Sequence, residues 1–206
     1  LIIHALSNRT QELFENPNIK YILPFENKGK EIGVTLEHPH GQIYSFGHIP
    51  EIIKKQSIVQ QGKPLENYLS NIPEELILKK NSTSICFVPR WARYPFEIWI
   101  VPYRRVPDLY TLSDDEKNDL AELMHDVSKR LDGVFDAPMP YTLAWQLSPR
   151  GFEDSHHFHI SFQPIRRSKT KLKYLAGVEQ ITGFFLVDLP PERSARILRG
   201  EEQPDE

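Results

Sequence analysis

Ser113-Asp114-Asp115-Glu116, followed by Leu120, Leu123, Met124, Val127, Leu131 and Gly133, is the stretch that decides the fold class. Ser with Glu three residues later has the spacing of a capping box. The apolar residues behind it recur every three or four positions, which predicts a long helix with one buried stripe, and Gly133 supplies a stop. Working outward, residues 84–88 and 96–101 are apolar strand candidates, joined by an aromatic, basic turn through Pro89, Arg90, Trp91 and Arg93. Downstream, residues 141–147 and 157–162 read as two more strands, and Pro191–Leu198 as a last helix. Strand, strand, long helix, strand, strand predicts an α+β domain with a mainly antiparallel sheet.

The upstream part is less regular. Residues 1–16 read as the end of a helix, with Ile2, Leu6 and Leu13 weakly periodic and Asn16-Pro17-Asn18 as its stop. Residues 19–25 read as a short strand, Glu26-Asn27-Lys28-Gly29-Lys30 as a turn, and Gly33 falls in the loop that follows. Residues 38–46 alternate as a strand would, which puts His38, His40, Gln42 and Tyr44 on one face. Residues 49–82 are polar and broken by Gly62, Pro64 and Pro73; they read as a connection with short helices and as the best boundary. Both parts carry a His-x-His strand, at 38–40 and 157–159, so two related halves are expected, 1–60 and 61–206, the first truncated.

Composition narrows the class. The 206 residues are 39% hydrophobic and 26% charged, enough for a soluble domain with a sizeable core. A net charge of −3 gives no footing for nucleic acid. No apolar run is long enough to span a bilayer, and Leu1-Ile2-Ile3-His4 lacks the basic segment and long apolar stretch of a signal peptide. The single cysteine, Cys86, rules out an intrachain disulfide and favours a cytoplasmic setting.

His38-Pro39-His40-Gly41-Gln42 carries the chemistry. An imidazole is a good nucleophile at neutral pH, and a phosphorylated imidazole passes its group onward, so one hard displacement becomes two easier ones. Gly41 lets a phosphate approach the backbone. Gln42 can donate an N–H to a phosphoryl oxygen without a competing charge. Taken alone, the motif is equally compatible with two structural histidines beside a Pro-Gly turn.

The surroundings resemble a known family. Phe25-Glu26-Asn27-Lys28-Gly29, then Gly33, then His38-Pro39-His40-Gly41-Gln42-Ile43-Tyr44 resembles the active-site region of galactose-1-phosphate uridylyltransferases, members of the histidine-triad superfamily. The resemblance continues through residues 91–97, residues 102–106, the His-rich strand, and Lys173-Tyr174-Leu175-Ala176-Gly177-Val178-Glu179, in the family's order. It implies a histidine-triad-like fold comprising the end of a first half and all of a second. It implies UMP exchange between UDP-glucose and galactose 1-phosphate, with His40 the nucleophile and Gln42 its support. Asn27, Gly33 and Thr35 fall where the family contacts phosphates. Lys173, Tyr174 and Glu179 fall where it contacts the hexose; apart from the resemblance, Lys173 and Glu179 would read as solvated surface charges. A homodimer is implied, because the family's active site draws residues from the partner subunit.

Departures from the family pattern bear on metals. His38 matches a zinc ligand whose partners lie outside this chain, and one histidine does not make a four-ligand structural site. A second metal in some members is held by one Glu and three His; here Gln56, Gln146, His159 and Ser161 stand at those positions, so none is expected there. His156, His157 and His159 read better as structural histidines than as a metal site. Trp91, Tyr94, Phe96, Trp99 and Trp145 read as core or dimer packing rather than a base-stacking platform. Two rivals stand beside the transferase: an ADP-sugar phosphorylase or adenylyltransferase of the same superfamily, and a non-catalytic truncated binding subunit. The strand at 38–46 has only residues 19–25 as a local partner, so it is expected to pair with material beyond residues 1–206.

Overall fold

The computed structural model describes residues 1–35, 38 and 40–205. Helix α1 (Ile2–Phe14) leads into β1 (Tyr21–Lys28), a 3₁₀ turn (Lys30–Ile32) and β2 (Gly41–Phe46). Helices α2 (Glu51–Gln60) and α3 (Pro64–Leu69) follow, then β3 (Ile77–Lys80), β4 (Ser84–Phe87) and β5 (Ile98–Pro102). Helix α4 (Asp114–Gly133), β6 (Tyr141–Gln146), β7 (His159–Pro164), α5 (Val178–Thr182) and α6 (Pro191–Leu198) complete the order.

The strands form one sheet in the order β2-β1-β6-β7-β5-β4-β3, every neighbouring pair antiparallel. This is the expected α+β, mainly antiparallel arrangement. Alternation along the strands separates two faces. On one, Cys86, Ile98, Ile100, Leu143, Trp145, Ile160 and Phe162 pack beneath Leu120, Leu123, Val127 and Leu131 of α4, with Ala195 and Leu198 of α6. On the other, Ile85, Phe87 and Val101 form a smaller cluster with Leu65 of α3. The predicted capping box starts α4: Glu116 N–H donates to Ser113 Oγ (3.2 Å), and Ser113 N–H to Glu116 Oε2 (2.8 Å). Arg104 grips the same Glu116 through both carboxylate oxygens, at 2.9 and 2.7 Å.

Four expectations are corrected. The turn predicted at 26–30 is strand as far as Lys28, because Glu26, Asn27 and Lys28 pair with β6 and Glu26 also with β2. Gly29, at φ 103°, then makes the turn. The strand predicted at 38–46 begins at Gly41, so His38 and His40 precede it and strand alternation does not place them; Pro39 lies outside the described residues. The connection at 49–82 contains β3, which pairs with β4. The strand predicted from 157 begins at His159.

Candidate active site

His40 sits one residue ahead of β2, which lies at the edge of the sheet. Its Nδ1 is 3.1 Å from the carbonyl oxygen of His38. A carbonyl only accepts, so Nδ1 carries the proton and Nε2 keeps its lone pair. The two imidazoles stand 5.9 Å apart, centroid to centroid. His40 and Gly41 line a cavity of about 840 Å³ on the α1 and α4 side of the sheet, together with Glu26, Ile43, Arg9 and Lys117. Most of the lining is apolar; of its two cations, Arg9 is paired with Glu12 at 2.7 Å, and the Glu26 carboxyl lies in the same lining.

Glu26 was assigned no role from sequence. It is the strand partner of Gly41 and lines the same cavity. Burial pushes its carboxyl above the usual range, opposed by the charges of Lys28 and His40. The available signal was its place in the Glu-Asn-Lys-Gly element, obscured by the expectation of a turn there.

The other expected site residues divide. Gln42 pairs with Phe25 in the β1–β2 ladder, so its side chain is on the face opposite Gly41 and Ile43. Asn27 shares that opposite face, and its Oδ1 accepts the Thr142 hydroxyl at 3.0 Å. Gly33 closes the 3₁₀ turn at φ 82°, and Thr35 is exposed. Lys173 and Glu179 form an ion pair of 2.5 Å, their side chains only 7% and 8% exposed. The Lys173 ammonium also donates to Leu186 O, and Leu186 N–H donates to Glu179 Oε1. The pair therefore staples residues 173–186, and Lys173 and Leu186 hold the Glu179 carboxyl below its usual range. Tyr174 is exposed. None of these three lines the cavity at His40.

The second His-x-His element repeats the first in detail. His159 Nδ1 lies 3.0 Å from His157 O, which again leaves Nε2 as the acceptor. His159 is buried and stacked on Trp99, centroids 4.2 Å apart. Burial lowers its pKa to about 3 and that of His156 to about 4, and lowers that of His157 as well. His156 Nε2 donates to Gln146 O, His157 Nε2 donates to Pro102 O, and Gln60 accepts from the His157 backbone N–H. Gln146 is the strand partner of His159 and donates to Ser161 Oγ at 3.5 Å. One histidine, two amides and a hydroxyl do not fit a transition metal. Among the described residues no three His, Cys, Asp or Glu side chains gather as a metal site. No described helix is long and apolar enough to cross a membrane.

Comparison with known proteins gives concordant results. The family model for the galactose-1-phosphate uridyl transferase C-terminal domain matches residues 54–204, and that for the N-terminal domain matches residues 1–50. The galactose-1-phosphate uridylyltransferase of Thermotoga maritima is 37% identical over 98% of this chain and 66% of its own length. The corresponding protein of Haemophilus influenzae is 30% identical over 92% of this chain and 58% of its own. The chain thus spans about three fifths of these relatives. A solved mutant uridylyltransferase superposes with a TM-score of 0.90 at 30% identity, covering 97% of this chain and 69% of that one. An ADP-glucose phosphorylase from Arabidopsis thaliana shares the fold, with a TM-score of 0.85 at 22% identity over 96% of this chain and 64% of that one.

Proposed function

From the premise that the chain belongs to the galactose-1-phosphate uridyl transferase family, we propose that it transfers UMP between UDP-glucose and galactose 1-phosphate, with His40 as the covalent carrier. The observation that carries this is the bond from His40 Nδ1 to His38 O, which leaves Nε2 as the free, nucleophilic nitrogen of the ring. Nε2 attacks the uridylyl phosphorus, an N–P bond forms, and the P–O bond to glucose 1-phosphate breaks. The imidazole becomes cationic, and the His38 carbonyl, bonded to Nδ1–H, stabilises that charge. A phosphate oxygen of galactose 1-phosphate then attacks the same phosphorus and releases His40. The leaving and attacking groups are phosphate oxygens, so positioning and charge stabilisation matter more than acid catalysis.

Gln42, Asn27, Gly33 and Thr35 are proposed to hold the uridylyl and sugar phosphates, and Lys173, Tyr174 and Glu179 the hexose. That the last three lie apart from the His40 cavity within one chain supports a homodimer, in which they serve a partner's site. Cytoplasmic residence is proposed with it. His38 would supply one ligand of a structural zinc, the others coming from beyond these residues.

Intact mass after incubation with UDP-glucose, and separately with ADP-glucose, tests the proposal. One uridylyl adduct, absent in His40→Asn, is expected. An adenylyl adduct alone would support the ADP-sugar alternative, and no adduct with either would support a binding subunit.

A further inference from the structure

The face opposite α4 carries a second cavity of about 630 Å³, roofed by α2 and α3 and floored by β5 and β7. Its lining shares no residue with that of the His40 cavity, and it does not depend on the transfer proposed there. His159, 5% exposed, reaches its lining. Nδ1 is committed to His157 O, so the imidazole offers Nε2 as an acceptor, and no protein partner takes it among the described residues. The arrangement reproduces the one at His40, Nδ1 to the carbonyl two residues back, at 3.0 Å against 3.1 Å.

The rest of the cavity is built around that ring. Glu97, fully buried, accepts the Trp99 indole N–H at 2.9 Å and the Arg93 amide at 2.7 Å. Trp99 is thereby fixed beneath His159. Trp91 stands edge-on to Trp99 at 5.3 Å, and Tyr68 edge-on to Trp91 at 4.8 Å. The Tyr68 hydroxyl is buried, on the side of Arg90. Helix α2 presents Ile52, Lys55, Gln56 and Val59 along one side at helical spacing, and Arg93 stands at the rim. Lys55 has no carboxylate partner among the described residues, and Ile52 and Val59 are 57% and 64% exposed.

These groups select a chemistry. Three aromatic side chains suit a flat ring. The Nε2 acceptor and the Gln56 amide suit a ring edge with both donors and acceptors. Lys55 and Arg93 suit an anion attached to that ring. The absence of further imidazoles or carboxylates in the lining argues against a metal, and two cations argue against a purely apolar guest. The volume lies within the range of small-ligand sites, roughly 300–1,000 Å³. We propose that this cavity is a second, non-covalent binding site for a nucleoside monophosphate, with the base against Trp91 and Trp99, its edge on His159 Nε2, and the phosphate at Lys55 and Arg93.

The chain has three tryptophans, and Trp145 lies on the other face of the sheet, in the lining of the His40 cavity. Indole N–H resonances of ¹⁵N-labelled protein therefore report the two cavities separately, with Trp91→Phe assigning one signal. Titration with UMP is expected to shift the Trp91 and Trp99 signals saturably, equally in the native protein and in His40→Asn. Lys55→Glu, at an exposed position, is expected to weaken this binding roughly tenfold through loss of one charge-assisted contact. Val59→Trp, also at an exposed position, is expected to fill the cavity and abolish the shifts, with the remaining spectrum confirming the fold. The proposal is overturned if UMP leaves Trp91 and Trp99 unmoved, if their shifts survive Val59→Trp, or if inorganic phosphate or uridine alone matches UMP. Failure of His40 to form an adduct would leave this outcome unaffected.

Discussion

Acidification to pH 5 should destabilise this protein strongly, and two buried histidines set the size of the effect. His156 is 2% exposed and His159 5%. Desolvation lowers their folded pKa values to about 4 and about 3, from an ordinary 6.5. The native state therefore binds fewer protons than the unfolded chain between those values and 6.5, so stability is full above the unfolded pKa and falls as pH drops below it. At pH 5 the unfolded imidazoles are almost fully protonated while the native ones remain neutral. Each then contributes a loss of about 2 kcal/mol, about 4 kcal/mol for the pair, relative to pH 8. His157 shifts in the same direction, and Glu66, 3.9 Å from its Nδ1, opposes that shift. Glu26 and Asp108, whose carboxyl pKa values burial raises, give back part of the loss. Set against a total of about 5–15 kcal/mol for an ordinary domain, the change is large. Urea unfolding followed by tryptophan fluorescence at pH 8, 6.5 and 5 should show the midpoint falling across this interval. His156→Gln should flatten the profile even where it lowers stability at pH 8. A midpoint that is level from pH 8 to 5 and drops only below about 4.5, the carboxylate range, would refute the assignment of this effect to the histidines.

Three other outcomes are expected. Gly29→Ala should cost about 1–3 kcal/mol in thermal or urea unfolding, because φ is 103° and an added Cβ would sit 2.8 Å from Pro140 Cβ; a neutral result would mean the β1 turn is not held as described. Ser113→Ala should cost about 1 kcal/mol, while the Arg104–Glu116 pair should keep α4 in place; loss of α4 helicity by circular dichroism would contradict the packing. Lys173→Met should speed hydrogen exchange at the Leu186 amide, and acidification of the native protein through the lowered Glu179 pKa should do the same; unchanged exchange in both would show that the pair does not staple the segment.

Helix α4, β4, β6 and α6 were legible because local signals agreed with tertiary context: a capping box, a 3.6-residue period, short apolar runs, a Pro at the first turn. The Glu26-Asn27-Lys28 stretch was misread because its turn-forming composition is overridden by pairing. Asn27, which competes for backbone partners in isolation, is occupied instead by Thr142 across the β1–β6 seam. Strand β3 hid in Ile77-Leu78-Lys79-Lys80, too short to show a period, and it exists through pairing with β4. The candidate nucleophile His40 stands out in the sequence because its motif is contiguous. The cavity at His159 was not, because Lys55, Tyr68, Trp91 and His159 come from four separate segments and no local spacing links them.

The family models divide at residues 50–54, but the hydrogen bonding does not. Residues 25–28 of β1 pair with residues 141–144 of β6, and Lys28 reaches Asp132 at the end of α4, at 2.7 Å. Arg150 donates to the carbonyls of Phe14, Asn16 and Ile19, and its own amide donates to Lys20 O. The segment carrying His40 is thus welded to the second part through β1, while β2, which follows His40 directly, touches the sheet along one edge only. Among the described residues no strand pairs with its outer edge, and Tyr44 on β2 is 53% exposed. A nucleophile must be held to within about half an ångström to work in line. Pairing with β1 fixes one side of that strand, and β1 is itself held by β6. The element around His159 is held on both sides, by β5 and β6, and its ring is clamped by Trp99. The same Nδ1-to-carbonyl bond therefore sits in a rigid setting at His159 and in an edge setting at His40. That difference fits the two proposals: a binding site in the second part, and in the first a reacting site whose imidazole would accept a group and then release it.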